Sequence, residues 1–168
     1  MKEIKLRNII FPIWLLLFFP PLIFITLAGN FIIDSLVILG CFKKFKLVNP
    51  KPIMYYYKKS IIKVWLFGFL ADFIGATILF VLGILGDSFG LSYELINGIN
   101  YDPFSNPLAV IIILIAILIS GFFIFLFNYR ISFRELVEDL SLRFKLSLTI
   151  AIITMPWTFL LPTRWFYY

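Results

Sequence analysis

An acidic residue inside an apolar stretch, Asp72, is the position of this sequence with the clearest chemical potential. It is the one charged residue between positions 64 and 86, VWLFGFLADFIGATILFVLGILG. A carboxylate at the centre of a lipid bilayer is costly unless other groups compensate its charge or it holds a proton. Two interpretations follow: Asp72 is a proton or cation site, or it is a hydrogen-bond anchor between helices.

Further polar side chains lie in other apolar stretches. Asp34 follows a Gly-Asn pair by one helical turn, which predicts a hydrated position close to the outer membrane interface. Ser147, Thr154 and Thr158 recur at helical spacing within an arc of about 60°. Such hydroxyl stripes most often serve helix packing, but they can also line a polar path or donate hydrogen bonds to Asp72. Together with Asp72, these residues form a candidate intramembrane polar site.

Small residues share the helical face of Asp72 and predict close packing there. Within an arc of about 140° around Asp72, the face contains Gly68, Ala71, Gly75, Ala76, Gly83 and Gly86. Small side chains let the backbones of membrane helices approach one another. We therefore expect Asp72 to face protein instead of lipid.

Several kinds of catalytic or metal site are excluded by composition. The chain has no histidine and one cysteine, Cys41, so one chain cannot form a disulfide, a Cys/His zinc site, a Ser-His-Asp triad or bis-histidine haem ligation. Gly86 and Asp87 resemble part of the Gly-x-Gly-Asp motif of intramembrane aspartyl proteases, but the first glycine is missing. We expect a protein that is not an enzyme and needs no cofactor or metal.

The elements that carry these residues belong to one membrane domain covering residues 1–168. Hydrophobic residues make up 62% of the chain and charged residues 14%, against about half and a quarter in soluble proteins. The mean hydropathy is +1.02. Apolar runs of about 20 residues are long enough to cross a bilayer as helices. The chain is therefore expected to be an integral membrane protein of the all-α class.

The apolar runs predict five transmembrane helices, or alternatively four. The predicted spans are 9–27, 31–42, 64–86, 108–129 and 146–161. The first two form a hairpin with a tight turn at Gly29 and Asn30. The alternative for residues 9–41 is an interfacial segment followed by one kinked span.

The charges of the connections predict the orientation. Lys43, Lys44, Lys46, Lys51, Lys58, Lys59 and Lys63 cluster in one connection, whereas Asp87, Glu94 and Asp102 occupy the next. Because cytoplasmic loops are enriched in basic residues, the lysine loop is expected in the cytoplasm. The basic tail that contains Lys2, Lys5 and Arg7 joins it there if the hairpin forms. This predicts a multi-pass protein of the bacterial plasma membrane with a cytoplasmic N-terminus and an extracellular C-terminus.

The segment 132–145 predicts a different element, a cytoplasmic amphipathic helix. Its apolar residues fall on one stripe, and Ser132 with Glu135 has the spacing of a capping box. Arg134 with Glu138, and Asp139 with Arg143, are spaced for i,i+4 ion pairs. Such a helix would lie on the membrane surface or dock on a partner.

These features predict a non-enzymatic subunit, helper or immunity-type partner of another membrane system. The alternative is a small oligomeric ion or solute transporter with Asp72 in its pathway. Expected partners are the lipid bilayer and another membrane protein or a second copy of the chain. Nucleic acid is not expected despite the net charge of +6, because the basic residues lie beside apolar runs.

Overall fold

The computed structural model describes residues 12–47 and 51–166, and in these ranges the chain is helical with no strand. Six α-helices follow one another: α1 (Ile13–Leu16), α2 (Leu22–Lys44), α3 (Ile53–Leu85), α4 (Tyr93–Asn100), α5 (Pro107–Phe127) and α6 (Leu140–Thr154). A π-helical turn, Asn128–Ser132, extends α5, and short 3-10 turns connect or follow the other helices. The all-α class is confirmed.

Three of these helices have the length and apolar character needed to cross a membrane. They are α2, α3, and α5 with its π-helical extension, which contain 23, 33 and 26 residues. Since about 20 helical residues span the hydrocarbon core, each is long enough. The structure therefore supports a membrane protein with three such helices, and counts of four or five spans are not confirmed.

The hairpin predicted at Gly29 and Asn30 is wrong, because α2 runs through both residues without a break. One glycine within a helix costs only about 1 kcal/mol, which does not end a long apolar helix. The interruption falls instead at Pro20 and Pro21, between α1 and α2. A proline donates no backbone hydrogen bond and clashes with the preceding helical turn. Residues 9–11 of the predicted first span lie outside the described residues.

The amphipathic helix predicted over 132–145 is not confirmed, since residues 133–139 lie outside any helix. Phe133 and Val137 are buried, and the rings of Phe133 and Phe42 lie 6.0 Å apart. These two residues of the apolar stripe thus reach the core from a loop, whereas Leu140 and Phe144 lie on α6 and are exposed. Asp139, and not Ser132, caps the next helix by accepting hydrogen bonds from the backbone N–H groups of Ser141 and Leu142.

The predicted last span, 146–161, is not one continuous helix. Helix α6 begins earlier, at Leu140, and ends at Thr154. Pro156 explains the end, because a residue before proline is driven towards an extended conformation, and Met155 has a ψ of 154°. A 3-10 turn, Trp157–Leu160, follows. The 15 residues of α6 fall short of the about 20 that a complete span requires.

Polar contacts define one end of the bundle, which we call the acidic end. Arg164 pairs with Asp102 at 2.8 Å. The backbone N–H of Ile13 donates to the Thr163 hydroxyl over 2.9 Å, and the Trp14 indole N–H donates to the carbonyl of Ile99 over 3.1 Å. The start of α1, helix α4 and the C-terminal segment therefore meet at this end.

The opposite end, which we call the basic end, contains the end of α2 and the connection between α5 and α6. The contact between Phe42 and Phe133 joins these two segments. Lys43 and Lys44 follow Phe42, and Arg130 and Arg134 flank Phe133. Residues 12–44 therefore cross the bundle once, so Pro12 and Lys44 lie at opposite ends.

Helices α3 and α5 pack closely through small residues at the centre of the bundle. A side chain at Gly75 would clash with the Ser120 hydroxyl and would lie 3.1 Å from the carbonyl oxygen of Ala116. Near the acidic end, the Asn100 amide donates to the carbonyl of Gly83 over 3.0 Å. These contacts join α3, the helix that carries Asp72, to α5 and to α4.

Candidate functional site

A cavity of about 350 Å³ lies between α2, α3 and the segment that follows α6. Its polar lining residues are Thr26, Asn30, Asp34, Asp72, Thr154 and Thr158. Leu17 and Phe18, which directly follow α1, line one side of the cavity. Three of the residues predicted as polar candidates, in addition to Asp72, thus meet at one place.

The two acids of the cavity come from neighbouring helices. Asp34 is 5% exposed and lies beside Gly68, where its Oδ2 atom is 3.7 Å from the position that a Cβ atom would take. Gly68 precedes Asp72 by one helical turn on α3. The Asp34 carboxylate therefore lies against the part of α3 that carries Asp72.

No basic side chain among the described lining residues compensates the charge of these carboxylates. The Oδ1 atom of Asp72 is buried and has no hydrogen-bond partner among the described residues. Among the residues that the structure describes, neither lysine nor arginine lines the cavity. Within residues 12–47 and 51–166, the ion pair that forms is that of Asp102 and Arg164, at the acidic end. The cavity consequently has a strongly negative character whenever its acids are ionised.

The threonine hydroxyl groups in the lining add to the negative character of the cavity. The Thr26 hydroxyl donates to the carbonyl of Leu22 over 3.0 Å, and that of Thr154 donates to the carbonyl of Ile150 over 2.9 Å. Because their protons are already engaged, these oxygens have only acceptor capacity left. Helix α6 also ends at the cavity, and the C-terminus of a helix carries partial negative charge. The site is therefore suited to a cation.

Aromatic side chains complete the lining. Phe18, Phe69, Trp157 and Phe159 all border the cavity, and the rings of Phe18 and Phe69 lie 5.4 Å apart. Aromatic faces attract cations through their quadrupole. The two acids and the aromatic side chains of the cavity thus favour the same kind of ligand, a cation.

The cavity reaches the surface of the bundle between α2 and the segment after α6. The lining residues Ile33 and Trp157 are 50% and 47% exposed there. Asp72 therefore lies in a cavity with an opening and is not sealed between helices. Its Oδ1 atom has no hydrogen-bond partner within residues 12–47 and 51–166, whereas a structural anchor would use its oxygens as acceptors.

The other residues singled out in the sequence have different positions. Ser147 is fully buried but does not line the cavity, and its hydroxyl has no hydrogen-bond partner among the described residues. Gly68 borders the cavity, whereas the rest of the small-residue face is buried: Ala71, Gly75, Ala76, Gly83 and Gly86. Asp34 does not have the hydrated position expected for it, because it lies buried in α2 instead of near a turn.

Sequence reasoning missed Thr26 and Asn30. With Asp34 they recur at every fourth position, which places all three on one face of a helix. This signal was present, but a turn at Gly29 and Asn30 would have separated them. The continuity of α2 is what brings the three side chains together.

The comparisons with known proteins give no relative from which a function could be transferred. No protein-family model matches the chain, and neither a curated protein nor a solved structure shows a significant similarity to it.

Proposed function

We propose that this protein binds a cation between Asp34 and Asp72 and acts as a small membrane transporter. The observation that supports this function is the shared cavity, in which two acids lie with no basic side chain among the described lining residues. Burying two negative charges without compensation is unfavourable, and a bound cation or a proton relieves that cost.

The breaks in the neighbouring helices also favour transport. The interruption between α1 and α2 and the end of α6 at Pro156 both border the cavity. Substrate sites of secondary transporters commonly form where discontinuous helices meet inside the membrane. Such breaks leave backbone carbonyls free to face a ligand and give the flanking segments freedom to move.

The size and lining of the cavity favour an organic cation over a bare metal ion. A volume of about 350 Å³ lies in the range of sites for small organic molecules. Hard metal ions prefer a close cage of oxygen atoms, whereas here aromatic and aliphatic side chains form most of the wall. A lipophilic ammonium or phosphonium compound would satisfy both the acids and the rings.

Binding of tetraphenylphosphonium to the purified protein tests this function. We expect saturable binding in proteoliposomes, measured by equilibrium dialysis with radiolabelled compound, with excess sodium chloride as a weak competitor. Uptake driven by an imposed gradient should exceed that of protein-free vesicles. Binding that rises linearly with concentration, as partition into lipid does, would contradict the proposal.

A non-enzymatic partner of another membrane system is the second candidate. It is favoured by α2, whose outward side chains Phe24, Ile25, Ile32 and Leu36 are more than half exposed and would face lipid or a second protein. Purification from native membranes in mild detergent separates the candidates. A stoichiometric foreign protein supports the partner function, and a homo-oligomer supports transport.

We further propose that the basic end faces the cytoplasm, since it carries the lysines of the connection between α2 and α3. In a Cys41→Ser background, cysteines at Lys46 and Glu135 should resist an impermeant maleimide added to intact cells. Cysteines at Ser88 and Phe104, towards the acidic end, should react. All four residues are exposed, so access depends on the side of the membrane. The reverse labelling pattern would invert the orientation.

The described chain begins at the end of the bundle opposite to the lysines of the connection between α2 and α3. The cytoplasmic placement of the N-terminus depended on the hairpin, and Pro12 instead lies at the acidic end with Thr163. We therefore propose that Pro12 and the C-terminal segment are both extracellular. Residues 1–11 lie outside the described part of the chain.

A further inference from the structure

A second cavity, of about 340 Å³, lies at the basic end and is separate from the site of Asp72. It is lined by Tyr129, Arg130, Arg134 and Arg143. The end of α5, the connection after it and the first turns of α6 contribute these residues. Three guanidinium groups thus converge on one cavity.

Their charges are not compensated by the acids nearby in sequence. No ion pair joins Arg130, Arg134 or Arg143 to a described carboxylate, since the pair that forms is that of Asp102 and Arg164. Asp139 is engaged elsewhere, because its Oδ1 atom accepts the two N–H groups that start α6. The i,i+4 pairs expected for a helix over 132–145 are therefore absent, as that helix does not form.

Arg143 is held in position by its surroundings. One terminal nitrogen donates to the carbonyl of Arg134 over 3.1 Å, and the guanidinium lies 4.8 Å from the centre of the Tyr129 ring. That ring is stacked on Phe125. The Nε atom of Arg143 is buried and has no acceptor among the described residues. A buried donor without a partner is unfavourable, so an acceptor in the cavity would stabilise it.

We propose that Arg130, Arg134 and Arg143 bind a phosphate group. Guanidinium groups match phosphate oxygens through paired hydrogen bonds, and three of them supply both the charge and the donors. The group can belong to an anionic phospholipid of the adjoining leaflet or to a soluble phosphate compound. The position at the basic end of the bundle resembles that of basic pockets which receive lipid headgroups.

Lipid binding by the full chain tests this site. Native mass spectrometry of the protein in detergent should show phosphatidylglycerol retained at concentrations about tenfold below those needed for phosphatidylcholine. Titration calorimetry with inorganic phosphate forms the second arm. Phosphatidylglycerol binding without phosphate binding identifies a lipid site, and tight phosphate binding identifies a soluble ligand.

Two charge-matched variants control for general electrostatic attraction. Arg130→Gln with Arg134→Gln removes two charges from the cavity, whereas Lys43→Gln with Lys44→Gln removes two exposed charges outside it at the same end. We expect the arginine variant to bind about tenfold more weakly and the lysine variant to bind normally.

Equal weakening in both variants would overturn the proposal, since it would indicate only a basic surface. The wild-type preference decides the question even if the arginine variant does not fold. Wild-type protein that neither prefers phosphatidylglycerol to phosphatidylcholine nor binds inorganic phosphate would also overturn it.

Discussion

Replacing Gly75 with leucine should strongly destabilise the protein. The new side chain would meet the Ser120 hydroxyl, the carbonyl oxygen of Ala116 at 3.1 Å and the ring of Phe159 at 3.2 Å. Because one obstacle is backbone of α5, the two helices would have to separate. Overpacking of this kind costs about 3 kcal/mol, and we expect the apparent Tm in detergent to fall by about 5–10 °C.

Gly40→Leu is the matched control, since it makes the same change on another helix that is long and apolar enough to cross a membrane. No atom lies within 4 Å of the position that a Cβ atom would take at Gly40. Phe80→Leu, at a side chain that is 40% exposed on the outer face of α3, should also have little effect. Thermal unfolding followed by tryptophan fluorescence gives the measurement. Equal Tm values for Gly75→Leu and Gly40→Leu would show that α3 and α5 do not need their close approach.

The long apolar elements could be predicted from the sequence because length and hydropathy alone determine them. The run around Ser120 appears as α5 with bounds close to the predicted 108–129, and the run around Asp72 lies within α3. Helix α3 extends further towards its N-terminus, to Ile53, since tyrosines and lysines continue it beyond the apolar run.

The breaks between helices were harder to predict, because they depend on competing local costs. Gly29 and Asn30 carry a turn signal, yet the surrounding apolar residues maintain the helix and its internal hydrogen bonds in a medium without water. Two adjacent prolines, Pro20 and Pro21, impose a cost that the helix cannot avoid. Phe133 and Val137 follow helical spacing, but their burial in the core is reached by a loop.

The candidate site could likewise be predicted only in part, because some of its features are local in sequence and others depend on how the helices pack. Asp72 was identifiable because a single acid in an apolar run is conspicuous. The proximity of Asp34 depends on how α2 lies against α3, which no local pattern determines. The arginine cavity was hidden for a related reason, since the predicted helix over 132–145 assigned Arg134 and Arg143 to ion pairs that do not form.

Asp72→Asn should strongly weaken cation binding while the protein remains folded. Asparagine has nearly the same size and keeps a hydrogen-bonding group, but it removes one of the two charges that would hold the ligand in the cavity. Loss of a buried charge partner costs about 2 kcal/mol or more, so the affinity for tetraphenylphosphonium should fall by at least about thirtyfold. Equilibrium dialysis with the radiolabelled compound measures this change, and gel filtration and circular dichroism verify the fold.

Asp34→Asn and Asp87→Asn are the variants to compare with Asp72→Asn, because each also removes one negative charge from an aspartate. Asp34 lies in the cavity with Asp72, so its variant should lose affinity to a similar extent. Asp87 is exposed near the acidic end and does not line the cavity, so its variant should bind as the wild type does. Unchanged binding in Asp72→Asn would make Asp72 a structural residue and leave the partner function as the better explanation. A loss in Asp72→Asn alone would place the cation beside α3 and exclude Asp34 as its second ligand.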